Sequence, residues 1–200
     1  MTMSASSNDI TDFLKIRRST IISKLTSDPL PEEDIETILA CGVRVPDHAV
    51  LGPWKIMVIT GEARHYLGRE ILRPEFAAAH PDATEEGLLF EESRFARAGA
   101  IFAVLSTPKE HPKIPVWEME LSAGAVAMNI TTAAQALGYG AQWVTEWYSY
   151  NDKMLDALGG RIGTDKIAGF IYVGGKTEAP KERRRPETEN VIGFFTPPVA

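Results

Sequence analysis

Two short stretches of this 200-residue chain hold more chemistry than turns require. The segment "RVPDHAVLGPW", residues 44–54, sets a cation, an acid, an imidazole and an indole (Arg44, Asp47, His48 and Trp54) in one connection between a helix-like and a strand-like stretch. Earlier, Arg17, Arg18 and Ser19 stand side by side. Guanidinium forks beside a hydroxyl are a donor set for phosphate or another oxyanion. A second basic group, Lys181, Arg183, Arg184 and Arg185, lies far along a chain that is acidic elsewhere. Two such positive sites can converge on one anion. Each basic cluster taken alone reads equally well as a solvated charge run. In the same way, Arg44 could cap the carbonyls of the helix before it, Asp47 could make a turn, and His48 could be a hydrogen-bonded interface residue. The grouping of these residues favours a ligand role.

Other chemistries fail on spacing. His48, His65, His80 and His111 show no ligand spacing with cysteines or carboxylates, so no metal site is expected. Ser19, Ser93, Ser106, Ser122 and Ser149 sit in no nucleophile-elbow context. Glu118 and Glu120, two apart on a helix, point to different faces. "GGKT" at 174–177 has Phe170 where a P-loop needs glycine, and Pro180 where its helix should run. "GYGAQW" at 138–143 lacks the third glycine of a dinucleotide fingerprint and leads into a strand. Cys41 is the only cysteine, which rules out an internal disulfide and fits a reducing compartment. Within "IETILACGV" it reads as a small buried side chain. No catalytic side chain is assigned, and an enzyme of this composition would take its reactivity from a bound cofactor.

The elements that must position these residues follow from periodicity. Residues 1–8 read as a disordered polar tail and 9–200 as one domain with an extended C-terminal arm from Lys176. Helical spacing marks 10–19, 31–44, 62–73, 84–98, 117–137 and 149–159, while "WKIMVIT", "AIFAVLST", "AQWVTE" and "KIAGFIYVGG" read as strands. Helices without strands between them open the chain, so the fold class is α+β, a sheet wrapped by helices. The longest helical run is interrupted by Glu118, Glu120, Asn129 and Gln135, which makes it a central buried helix and not a membrane span. A net charge of −6 argues against nucleic acid. "MTMSASSN" has neither the basic nor the apolar region of a signal peptide, so a cytoplasmic location is expected.

Five pieces in order, "RRS" at 17–19, "VRVPDHAVLGPWKIMVITG" at 43–61, "KIPVWEMELSAGAVAMNI" at 113–130, "ALGYGAQWVTEW" at 136–147 and "DKIAGFIYVG" at 165–174, resemble the FMN-dependent nitroreductase family, and within it the short bacterial NAD(P)H nitroreductases of the YdjA type. The resemblance covers roughly residues 12–198. It implies a homodimer with a central, mostly antiparallel sheet and FMN sites at the subunit interface. It places Arg17, Arg18 and Ser19, with Arg183 and Arg185, at the flavin phosphate and ribityl end. It places Arg44 and His48 at the FMN of the other subunit, and Trp143, Val144 and Thr145 along the flavin ring. Relatives carry a glycine or a basic residue shortly after that tryptophan, where this chain has Val144, Thr145 and Glu146. The implied activity is ping-pong hydride transfer from NADH or NADPH to a nitroaromatic, quinone or similar small oxidant. A second reading keeps the fold as a non-catalytic flavin-binding or small-ligand sensor module. A third, a purely structural protein, leaves Arg17, Ser19, Arg44 and His48 without a purpose.

Overall fold

Four strands form one antiparallel sheet in the order β1-β2-β4-β3, with β1 at Trp54–Ile59, β2 at Ala100–Ser106, β3 at Gly140–Val144 and β4 at Lys166–Gly174. The structure, a computed structural model, describes residues 7–198. Strand β2 is apolar at almost every position because helices cover both of its faces, and all seven of its residues are buried. Its side chains alternate between two cores. Ile101, Ala103 and Leu105 enter one, and Ala100, Phe102 and Val104 enter the other.

Helices α2 (Glu32–Gly42) and α6 (Val116–Ala136) close the second of these cores. Helix α2 starts after Pro31 with Glu32, Glu33 and Asp34 in its first turn, a charge pattern that suits the exposed N–H groups there. Helix α6 buries Met119, Ala123, Val126, Ala127, Ile130 and Ala134, spaced to one broad face. Each large apolar side chain so buried contributes about 1.5–3 kcal/mol.

The other core lies under an excursion between β1 and β2. It runs through α3 (Glu62–Leu67), a π-helical stretch at Gly68–Leu72, α4 (Arg73–Ala79) and α5 (Glu85–Glu92). The sequence places the end of a helix at residue 73, but the π stretch carries it on to Ala79. A side-chain Cβ at Gly68 would lie 2.0 Å from the Glu92 carbonyl oxygen, so only glycine lets these helices meet here. Phe95, Tyr148, Phe170 and Tyr172 fill the centre, with Phe95 meeting Tyr148 edge-on at 5.2 Å. The two tyrosine hydroxyls satisfy each other at 2.8 Å. Helix α7 (Asp152–Ala157) is capped by the Asn151 side chain, which accepts from the Met154 N–H.

Helix α1 spans Ser7–Ile16 and ends just before the arginine pair. Of the tail expected over 1–8, residues 1–6 lie outside the described residues, and 7 and 8 open α1. The C-terminal arm is tied to the start of the chain. Leu25 bridges Lys176, Thr26 N–H donates to Gly175 O at 2.9 Å, and Thr177 N–H donates to Lys24 O at 3.0 Å. Among the described residues, no helix is long and apolar enough to cross a membrane.

One detail of the sheet reaches the site. Strand β4 shifts register opposite Val104 and Leu105, beside Gly169. The Trp143 indole fills the space left there and donates Nε1–H to the Ala168 carbonyl at 3.1 Å. A Cβ at Gly169 would lie 2.0 Å from that Nε1. Gly169→Ala should therefore expel the indole and lower stability by about 1–3 kcal/mol. A denaturant midpoint and tryptophan emission equal to those of the parent would contradict this packing.

Candidate functional site

The segment after α1 is held between the edge strand and α6. Thr20 N–H donates to Ala141 O at 3.1 Å and Ile22 N–H to Gln142 Oε1 at 2.7 Å, which fixes Arg17, Arg18 and Ser19 beside the start of β3. From the last turn of α6, Gln135 serves both arginines. Its Oε1 accepts from Arg17 Nε at 2.8 Å and its Nε2 donates to the Arg18 carbonyl at 2.9 Å. The tie between 24–26 and 175–177 then brings the basic arm alongside. Arg18, Ser19, Lys24, Lys181, Glu182 and Arg183 line a pocket of about 560 Å³.

The electrostatics of this cluster are those of crowded cations with few carboxylates. Arg17 is pushed below the usual guanidinium range, first by burial and then by the like charges of Arg185 and Arg18. Arg18 Nε is buried with no hydrogen-bond partner among the described residues. Two carboxylates stand nearby. Glu182 pairs with Arg185 at 3.0 Å and Glu178 with Lys24 at 3.4 Å. Glu182 is held below the usual carboxyl range, first by the Arg183 backbone N–H and then by Arg185 and Arg18. Cations still outnumber acids, and crowded cations with an unsatisfied buried N–H are stabilised by a dianion that accepts from several donors at once.

The 44–54 connection is built by the same helix. Ser122 Oγ donates to the Pro46 carbonyl at 2.8 Å and accepts from Trp54 Nε1 at 3.1 Å. Asn129 Nδ2 donates to Cys41 O at 3.2 Å and Arg44 O at 2.9 Å. Glu118 Oε2 faces His48 Nδ1 at 2.8 Å. Asp47 supplies the turn, accepting from the N–H groups of Leu51 at 3.1 Å and Gly52 at 2.8 Å. Ala49 and Val50 are both left-handed, with φ of 58° and 55°. For L-residues, and a β-branched one above all, that conformation costs roughly 1–2 kcal/mol each. Such backbone persists only where the surroundings over-determine it, and here Asp47, Ser122 and Asn129 do so.

The structure thus brings Arg17, Arg18, Ser19, Arg183 and Arg185 to one place. Strand β3 leads from that place to Trp143, whose indole is pinned over Gly169. The Val144 side chain is half-buried and packs against the core, while Thr145 is exposed. Arg44 is exposed and lines a groove of about 490 Å³ with Ile10, Phe13 and Leu14 of α1. Cys41, expected to be buried, is exposed in the same groove. His48 is not near the cluster. It sits at the Glu118 end of α6 and the arginines at the Gln135 end, roughly 25 Å apart at 1.5 Å per residue. Sequence reasoning missed the roles of Ser122, Asn129 and Gln135. The signal for the last two was their presence, as hydrogen-bonding amides, inside an otherwise apolar helix. Among the described residues no group of His, Cys, Asp or Glu could hold a metal ion.

Comparison with known proteins adds the following. The Nitroreductase family profile matches residues 14–175. A curated relative from Escherichia coli (strain K12), named "Putative NAD(P)H nitroreductase YdjA", is 34% identical over 168 residues, which is 83% of this chain and 87% of the relative. A crystal structure of a nitroreductase-like family protein from Bacillus cereus superposes with a TM-score of 0.76 at 23% identity, covering 98% of each chain. A nitroreductase from Bacteroides fragilis, solved with bound FMN, superposes with a TM-score of 0.68 at 18% identity over 95% of this chain and all of that one. At these identities the two structures speak for the fold.

Gln135→Leu leaves Arg17 Nε and the Arg18 carbonyl unpartnered, so stability should fall by about 1–3 kcal/mol. Inorganic phosphate should raise the melting temperature of the parent and should not raise that of the variant. An equal rise in both would place the anion somewhere else.

Proposed function

The chain belongs to the nitroreductase family, and from that premise we propose that it is an FMN-dependent NAD(P)H oxidoreductase acting on small oxidants. The observation that carries this reading is the cation cluster of Arg17, Arg18 and Arg185, in which burial and then the neighbouring like charges lower Arg17 and Arg18 Nε is left without a partner among the described residues. Those residues fit the phosphate of FMN. When bound, FMN would supply the redox chemistry, ping-pong hydride transfer from NADH or NADPH to a nitroaromatic, quinone or similar acceptor.

The side chains position and polarise. Arg17, Arg18, Arg183 and Arg185 grip the phosphate, Ser19 adds a hydroxyl, and Gln135 sets the angle of the arginines. Trp143, with the backbone of Val144 and the hydroxyl of Thr145, borders the ring. Arg44 and His48 serve the FMN of a second subunit, as the family resemblance implies, and in keeping with it His48, at the Glu118 end of α6, lies far from the arginines at the Gln135 end of the same chain. Arg44 then offers a positive charge to the electron-rich edge of the ring and favours reduction. The partner subunit has a surface to meet, since Trp117, Leu121 and Met128 on α6 and Phe194 and Phe195 on the arm are exposed apolar residues. No nucleic acid or membrane takes part in this reading, and the single cysteine suits the cytoplasm.

Purified protein should show a flavin spectrum that bleaches when NADH or NADPH is added without oxygen. A flavin spectrum unchanged by both nucleotides would indicate the binding or sensor module, and a colourless protein unable to take up FMN would refute the cofactor assignment. Arg17→Ala should weaken FMN retention by about tenfold or more through loss of a charged phosphate contact. The parent should be a dimer, and a stable monomer holding FMN stoichiometrically would overturn the shared site.

A further inference from the structure

Just past Trp143 the chain is fastened to the helical excursion. Trp147 Nε1 donates to Glu91 Oε2 at 2.8 Å, Asn151 Nδ2 donates to Glu75 Oε2 at 2.8 Å, and Glu146 Oε2 lies 3.4 Å from Arg94 Nη1. Arg94 is the hub of this arrangement. Its Nε and Nη2 grip both oxygens of Glu91, the second at 2.7 Å, and its guanidinium stands 5.0 Å from the Phe90 ring centre and 5.9 Å from that of Tyr148. The Glu91 and Arg94 side chains are 5% and 12% exposed, whereas that of Glu146 is 38% exposed.

These contacts separate two roles. Glu91 grips Arg94 in bidentate fashion through Nε and Nη2 and accepts the Trp147 N–H, so most of what the fold draws from this network comes from Glu91. Glu146, half in solvent at the longer distance, contributes little to stability. Its charge is nevertheless fixed one residue beyond Thr145, at the end of the segment assigned above to the flavin ring.

We propose that Glu146 is a positioning residue for the bound flavin: tied to Arg94, it fixes the path of residues 143–147 and sets one negative charge beside the ring. This rests on the FMN reading. A fixed acid near a site that gains electrons opposes their arrival, so Glu146 lowers the flavin potential and favours passing hydride onward. Arg94 moderates that effect by partial neutralisation.

The test uses the full chain with its FMN and, in parallel, the FMN-free protein. In Glu146→Gln the flavin reduction potential should rise, and amide exchange at 143–147 in the FMN-free protein should quicken by about threefold or more, with the melting temperature unchanged. Glu146→Asp, which keeps the charge, should retain the potential of the parent. Lys153→Met, which removes an ion pair to Glu75 further along the same segment, should change neither readout. Potential and exchange in Glu146→Gln equal to the parent would overturn the inference while leaving the FMN reading intact. A parent chain that binds no FMN would instead sink that reading and this inference with it.

Discussion

The site depends on a buried helix that is not uniformly apolar. Irregular backbone next to a core must have its carbonyls and N–H groups satisfied, and a loop cannot do this for itself. Helix α6 does it for two loops. Ser122 and Asn129 hold the carbonyls of Pro46, Cys41 and Arg44, and Gln135 holds the carbonyl of Arg18 with the guanidinium of Arg17. The buried apolar residues of α6 face the sheet, while Ser122, Asn129 and Gln135 reach the loops. One rigid element thereby sets the position of the strained 49–50 turn and of the arginine pair. The sheet carries α6, and α6 carries the chemistry.

Charge arrangement at the two ends of β3 follows opposite logic. At the start of the strand, cations gather with too few acids, and burial together with the like charges of Arg185 and Arg18 lowers Arg17. Past its end, Arg94 is held charged, because the hydrogen bond and charge of Glu91, with help from Glu146, outweigh the burial that would lower it. The first cluster is open to an incoming anion, and the second is already closed. A buried pair of the second kind is costly to break, about 3–5 kcal/mol when one partner is removed, so it behaves as framework.

Much of this was legible in the sequence where a signal was local. Strand β2 showed itself as a continuous apolar run and α6 as a long helical pattern. Non-local arrangements were not legible. Helix α3 looked as though it ended at Pro74. The π stretch, however, shifts the hydrogen-bond ladder so that this proline falls at the start of a new α segment, where its missing N–H is tolerated. Cys41 lay in an apolar pattern but faces the groove beside α1 and not the core. Trp143 was expected at the ring, and the sheet irregularity at Gly169 that pins its indole has no signature beyond a lone glycine. Pairings such as Glu118 with His48 or Arg94 with Glu146 join separate elements, and no periodicity reports them.

The tie between 24–26 and 175–177 has a kinetic meaning. Its Thr177 hydroxyl contact spans 153 positions of sequence, so the basic arm reaches the arginine pair only after nearly the whole described chain has been made and folded. Contacts of that separation form late, since a long loop must close before any of them is rewarded. The sheet and α6 can therefore assemble around an incomplete anion pocket, in which Arg17, Arg18 and Ser19 still lack the basic arm. The arm thus closes over the arginine pair among the last contacts that folding makes.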